Sequence, residues 1–251
     1  MNRLKTAVLA VLLLAAVPAL AADPVLKFNG SSTTHKMLLP YVAEISAARH
    51  VTIEFVPNGT GRGLEDFGAD RADVAMVTGD LSYFAKILNE TKAGTLDASK
   101  AKTFRLADLE KTAATAIVHS SNKVTKLTHE QLRGLYSGKI ANWKEVGGPD
   151  VAVVPVLPSL TDGVFGSFNF SIMQGAAFAP TARKVPLATD LPKVVSQLPG
   201  GIGFLSIANA VGDVNKVAPQ PQFVPPNYLV THGEPSEPLK GVIADFQSRV
   251  K

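Results

Sequence analysis

A chain of 251 residues with 46% hydrophobic content and no cysteine must hold itself together by burial, not by disulfides. The formal charge is +4; without Arg3 and Lys5 of the leading segment, 23 Lys+Arg face 21 Asp+Glu, and a balance this close to neutral excludes nucleic acid as a partner. Roughly 230 residues beyond that segment suffice for one large domain or two modest ones.

The start, Met1-Asn2-Arg3-Leu4-Lys5, is basic, residues 7–17 are apolar, and Ala19-Leu20-Ala21 is a small-residue tail. That is the layout of a secretory signal peptide, with cleavage expected after Ala21 or Ala22. The apolar run is too short to span a bilayer, and no cysteine follows it to carry a lipid.

A strand is predicted over 25–28. It turns through Gly30-Ser31-Ser32-Thr33-Thr34 towards a helix over 37–48. A strand-to-helix turn of this composition points free N–H groups and hydroxyls at one spot. A second strand, 51–56, runs into Asn58-Gly59-Thr60-Gly61-Arg62-Gly63 and a helix over 63–68. The glycine spacing is neither a dinucleotide fingerprint nor a P-loop. Taken alone it is equally a tight turn that needs positive φ. Strand 73–77 leads through Thr78-Gly79-Asp80 into a helix over 82–91, where Asp80 either caps the helix or offers a carboxylate to the same cleft.

A strand over 115–118 precedes a helix over 128–135 that opens on a capping box, Thr128 with Gln131. Strand 151–156 ends in a fourth polar turn, Pro158-Ser159-Leu160-Thr161-Asp162-Gly163-Val164, followed by helices over 165–174 and 190–197. A strand at 201–205, a proline-rich connection at 219–226, a strand at 228–231 and a helix over 237–249 complete the chain. Strands alternating with helices predict an α/β protein with mainly parallel sheets, whose ligand lies at the carboxyl ends of the strands.

Catalysis finds little support. No G-x-S-x-G elbow occurs, and the histidines at 35, 50, 119, 129 and 232 lack metal-ligand spacing. His35, beside the first loop, reads as an ordinary helix-surface residue. The expectation is a binding protein, not an enzyme, with no cofactor and no metal.

Residues 127–148, "LTHEQLRGLYSGKIANWKEVGG", closely resemble a signature of the phosphate-binding proteins of high-affinity phosphate ABC importers. The segments "GSSTT…LLP", "NGTGRGLEDFGADRADVAM", "LPGGIGFLSIANA" and "YLVTHGEPSEPLKGVIADFQ" follow in that family's order. The resemblance implies a two-lobe, type II-like periplasmic-binding-protein fold with Trp143 in a lobe core. Lobe 1 would hold residues 23–112 and 204–251, lobe 2 residues 113–203, with hinge crossings near 113–120 and 200–206. It further implies a periplasmic monomer that captures a small ligand between lobes and passes it to the membrane subunits of an ABC importer.

By the same resemblance, Ser31, Ser32 and Thr33 match the first ligand loop, Gly59, Thr60 and Gly61 the second, and Asp80 an acidic acceptor. The family's fourth loop runs Arg-x-x-x-Ser-Gly-Thr. Here Pro158 stands at the Arg, Asp162 at the Ser and Val164 at the Thr, so that only Gly163 matches. Loss of the Arg removes a forked cationic donor, and Asp162 repels an anion. Arg62 could supply charge from the facing lobe, or be a solvated helix start. Ser159 and Thr161 could supply hydroxyls in a shifted alignment. Three readings stay open: phosphate or another oxyanion, an organic or less charged ligand, and a ligand sensor serving a membrane partner.

Overall fold

The structure, a computed structural model, describes residues 22–91 and 103–250, so the expected leader lies outside it apart from Ala22. The strands are β1 (Val25–Gly30), β2 (Thr52–Val56), β3 (Val74–Thr78), β4 (Phe104–Leu109), β5 (Ala114–His119), β6 (Lys126–Thr128), β7 (Val154–Leu157), β8 (Arg183–Lys184), β9 (Gly201–Ser206), β10 (Val214–Gln220) and β11 (Asn227–His232). The helices that matter to the site are α1 (Ser32–Leu38), α2 (Val42–Arg49), α3 (Thr60–Gly68), α4 (Leu81–Thr91), α5 (His129–Ser137), α6 (Gly163–Phe168), α7 (Leu191–Val195) and α8 (Leu239–Arg249).

Two sheets form two lobes, in the orders β2-β1-β3-β11-β4 and β6-β10-β5-β9-β7-β8. The sheets are mixed rather than mainly parallel. β1 runs parallel to β2 and β3, whereas β11 is antiparallel to both β3 and β4, and β5 is antiparallel to β9 and β10. The reason lies in the return of the chain. β3 ends at the lobe boundary with Thr78, and β11 starts there with Asn227 paired to Thr78, so it must run the opposite way.

The expected lobe boundary is corrected on the same evidence. β9 and β10 belong to the second sheet, so residues 204–220 are not part of lobe 1, and the return crossing is 221–226, not 200–206. Pro219 hid β10. A proline lacks a ladder donor, but here it lies against Leu127 of the short edge strand β6. The two crossings, 110–113 and 221–226, run side by side: the Ala114 N–H donates to the Phe223 carbonyl at 2.8 Å, and the Asn227 side chain donates to the Glu110 carbonyl at 2.7 Å.

Each lobe has its own core. Phe28, Leu38, Met76, Leu229 and Phe246 fill the first, and Tyr136, Trp143, Phe165, Phe168 and Phe204 the second. Trp143 is fully buried and its indole N–H donates to the Gly200 carbonyl at 3.0 Å, which meets the polar requirement of a buried tryptophan. α5 opens on the expected capping box. The helix expected over 37–48 begins at Ser32 instead and is interrupted at Leu39–Tyr41 by Pro40, whose missing N–H breaks the ladder. No described helix is long and apolar enough to cross a membrane.

Candidate ligand cleft

Three strand-to-helix turns meet where the lobes touch. β1 delivers Ser31, the N-cap of α1, whose Oγ accepts from the N–H groups of Thr33 and Thr34 at 3.2 Å each. β2 delivers Gly59, the N-cap of α3, followed by Thr60 and Gly61. From the second lobe, the loop after β7 delivers Asp162, the N-cap of α6, which accepts from the Phe165 N–H at 3.1 Å.

The hub of the first lobe is Thr78, at the end of β3. Its hydroxyl donates to Asn227 Oδ1 at 2.7 Å and lies 2.6 Å from Ser31 Oγ and 3.2 Å from Thr34 Oγ1. A hydroxyl carries one proton. With that of Thr78 given to Asn227, Ser31 must donate to Thr78, so the Ser31 hydroxyl is spent within the lobe, and Thr34 has both Thr78 Oγ1 and the Val77 carbonyl as acceptors. Thr60 is also buried, and its Oγ1 accepts from the Thr78 N–H at 3.2 Å.

The lobes are closed on one another. The Gly61 N–H donates to the Thr161 carbonyl at 2.8 Å, across the boundary. A Cβ on Gly163 would lie 2.5 Å from the Thr78 carbonyl oxygen and 2.6 Å from Thr60 Oγ1, and one on Gly61 would lie 2.2 Å from Thr161 Cβ. Glycine at 61 and 163 is therefore what lets the two lobes approach so closely. On one flank Asn209 donates to Ser32 Oγ at 3.1 Å and Lys36 to the Ala208 carbonyl at 3.2 Å; on the other, Asn169 donates to the Tyr83 hydroxyl at 3.2 Å. A small cavity of about 30 Å³ is left beside Asn58, Gly59, Arg62, Ser159, Thr161 and Asp162. That is room for about two waters, so a larger solute requires the lobes to part.

Of the residues expected at the site, Ser31, Ser32, Gly59, Thr60, Gly61, Thr161, Asp162 and Gly163 are brought to this boundary, and Arg62, exposed, lines the same small cavity. Thr33 is buried in the first turn of α1. Asp80 is turned to its own helix: it caps α4 by accepting from the Ser82 hydroxyl and the Tyr83 N–H, bonds that hold its carboxyl below the usual carboxylate range. Pro158 is buried on the wall of a separate apolar cavity, not in the cleft. Ser159 and Thr161 bond each other through their hydroxyls at 2.7 Å. His35 packs edge-on against Phe55, away from the cleft, and burial lowers its pKa.

Asp162 is electrostatically the most perturbed group here. Burial pushes its pKa up to about 6, against the N–H groups of Phe165 and Val164, which pull it down. Asn209 adds a second acceptor from this lobe, for its side-chain oxygen is buried without a partner while its amide holds Ser32.

Sequence reading missed Thr34, Thr78, Asn227 and Asn209. Thr78 was legible as the residue between a buried strand and Gly79. Asn227 and Asn209 were not, because only the return of the chain through the hinge places them here. It also missed Asp66 of α3, which fixes the second loop from below by accepting from Asn29 and Asn58 at 2.9 Å each and from Arg71 at 2.8 Å. Burial raises the Asp66 pKa, but these donors together outweigh it and leave the group lowered.

The PBP superfamily domain matches residues 17–241. The phosphate-binding protein PstS of Bacillus subtilis is 26% identical over 189 residues, 75% of this chain and 59% of its own length. PstS of Staphylococcus aureus is 28% identical over 191 residues, 74% of this chain and 53% of its own length. The chain thus spans little more than half the length of these curated relatives, which are binding proteins by name and not enzymes. Among solved structures, a Clostridium perfringens protein assigned as a phosphate ABC-transporter substrate-binding protein, solved with bound phosphate, superposes with a TM-score of 0.74 at 20% identity, covering 88% of this chain and 92% of that one. An ABC-type phosphate transport receptor from Vibrio cholerae gives 0.65 at 21% identity, covering 89% and 93%. The BenM effector-binding domain with benzoate gives 0.59 at 13% identity, covering 92% and 93%. At these identities the structures speak for the fold alone, and the fold agrees with the family match. With two mixed sheets, a double crossing between them and a cleft of helix N-termini, the chain belongs to the PBP superfamily.

Proposed function

We propose that this protein is an exported two-lobe solute receptor that serves an ABC importer in the periplasm, and that its ligand is a small hydrogen-bonding organic solute in preference to phosphate. The observation that carries the ligand reading is Asp162. A helix N-terminus facing a cleft is a natural anion site, and at α6 a carboxylate of the chain itself already takes that place. Once the lobes part, the first lobe offers the Ser32 hydroxyl and the Gly61 N–H as donors, while the second offers acceptors, Asp162 and the free side-chain oxygen of Asn209. Such a pair of faces suits a ligand that both accepts and donates hydrogen bonds. Delivery to an importer rests on the phosphate-transport relatives.

The test is a thermal-shift panel on the mature chain containing phosphate, sulfate, amino acids, sugars and small hydroxy acids. Ligand at a hundred times its dissociation constant adds about 2.7 kcal/mol of stability. A shift with a neutral or zwitterionic solute that exceeds the shift with phosphate supports the reading. Phosphate giving the largest shift would count against it. Export is checked separately: mass spectrometry of protein recovered from cells should find residues 1–21 or 1–22 removed.

A further inference from the structure

The second lobe holds a cavity of about 500 Å³ that the cleft does not use. All its lining residues belong to the second lobe, so it exists whether the lobes are open or closed. Its neighbour in the cleft shares only Ser159 with it. The walls are Leu157, Phe165, Phe178, Ala182 and Val185. Phe165 is fully buried, Phe178 is half-buried, and their rings lie nearly parallel, 25° apart with centroids at 5.7 Å. The volume lies in the range of small-molecule sites, about 300–1,000 Å³, which are mostly apolar with a few placed polar groups.

One charge lines this cavity, that of Lys184 on β8. Lys184 is exposed, and it has no carboxylate partner among the described residues. No Asp or Glu lines the cavity. The apolar walls therefore select a hydrophobic body, the half-buried Phe178 ring, backed by Phe165, favours an aromatic one, and the single ammonium at the edge selects one negative charge.

We propose that this cavity is a second binding site, for an aromatic monocarboxylate whose ring lies against Phe178 and whose carboxylate meets Lys184. The site is independent of the ligand in the cleft, so its failure would leave the reading of the cleft untouched.

The probe is 2-naphthoate, titrated calorimetrically into the full chain, with 2-naphthalenemethanol and 2-naphthylmethylamine as neutral and cationic comparators. The expected result is saturable 2-naphthoate binding that millimolar phosphate does not displace, with the amine binding more weakly than the alcohol. Lys184→Met removes the charge at an exposed position and should weaken 2-naphthoate by about threefold to fivefold, the scale of an exposed ion pair, while leaving the alcohol unchanged. Ala182→Trp should fill the cavity and abolish binding of both. Should that variant lose its circular-dichroism signature, Lys184→Met and the comparators decide alone. The proposal is overturned if 2-naphthoate gives no saturable heat, if phosphate displaces it, or if acid and alcohol bind equally to the wild type and Lys184→Met changes neither.

Discussion

Asp162 combines two roles that pull against each other. As N-cap it satisfies backbone donors of α6, and as a desolvated carboxylate with a pKa of about 6 it is costly to ionise. Its folded pKa lies above the ordinary aspartate value, so the native state binds the proton more tightly than the unfolded chain does. Its contribution to stability is therefore largest in acid, falls as pH rises from about 4 to 6, and is a constant penalty above that. Asparagine caps as well as aspartate but carries no charge. Asp162→Asn should raise stability above pH 6 by an amount on the order of 2 kcal/mol, with the gain fading towards pH 4, as followed by urea denaturation across pH. The same variant should bind phosphate at least about tenfold more tightly than the wild type, since a like charge near the ligand is gone. Asp66 works in the opposite sense: its folded pKa is lowered, so its contribution is present at neutral pH and is lost as pH falls through the carboxylate range. Asp66→Ala should cost about 2 kcal/mol at pH 7 in the same denaturation experiment, because it leaves the side chains of Asn29, Asn58 and Arg71 without their acceptor.

At the scale of elements, the interface is made by helix starts. α3 and α6 approach so closely that glycine is needed at both, and the atoms that an added Cβ on Gly163 would meet, the Thr78 carbonyl and Thr60 Oγ1, belong to the other lobe. Gly163→Ala should leave the circular-dichroism spectrum unchanged but hold the lobes apart. Small-angle scattering should show a larger radius of gyration than for the wild type, and equal radii would contradict the closed contact. These helix starts were legible in sequence because Gly, Ser, Thr and Asp between an apolar run and a helix have a fixed meaning. The loops at 30–34, 58–63 and 158–164 were found in that way. Helix α6 begins at Gly163, not at 165, since capping by Asp162 admits two further residues. Strand β10 was missed because Pro219 reads as a breaker, and the lobe boundary was misplaced with it. A single sequence does not disclose that β10 runs on past its pairing with β5, so that its proline faces only the short edge strand β6.

For the molecule as a whole, two cores joined by two neighbouring crossings make relative motion of the lobes the natural response to a ligand. The closed state is stabilised by the bond from Gly61 to Thr161 and by the flanking contacts of Ser32 with Asn209 and of Tyr83 with Asn169. A ligand must replace these contacts, and a cavity of about 30 Å³ cannot hold it without opening. What it would then face is the Ser32 hydroxyl and the Gly61 N–H of the first lobe and a second lobe whose nearest helix start carries its own anion. The most direct measurement is a calorimetric titration of phosphate into the unmodified mature protein at pH 7.5, where Asp162 is ionised. The expected result is binding weaker than micromolar, or none. A sub-micromolar dissociation constant would contradict it, and would mean that Asp162 turns out of the cleft or that Arg62 supplies the charge the loop lacks.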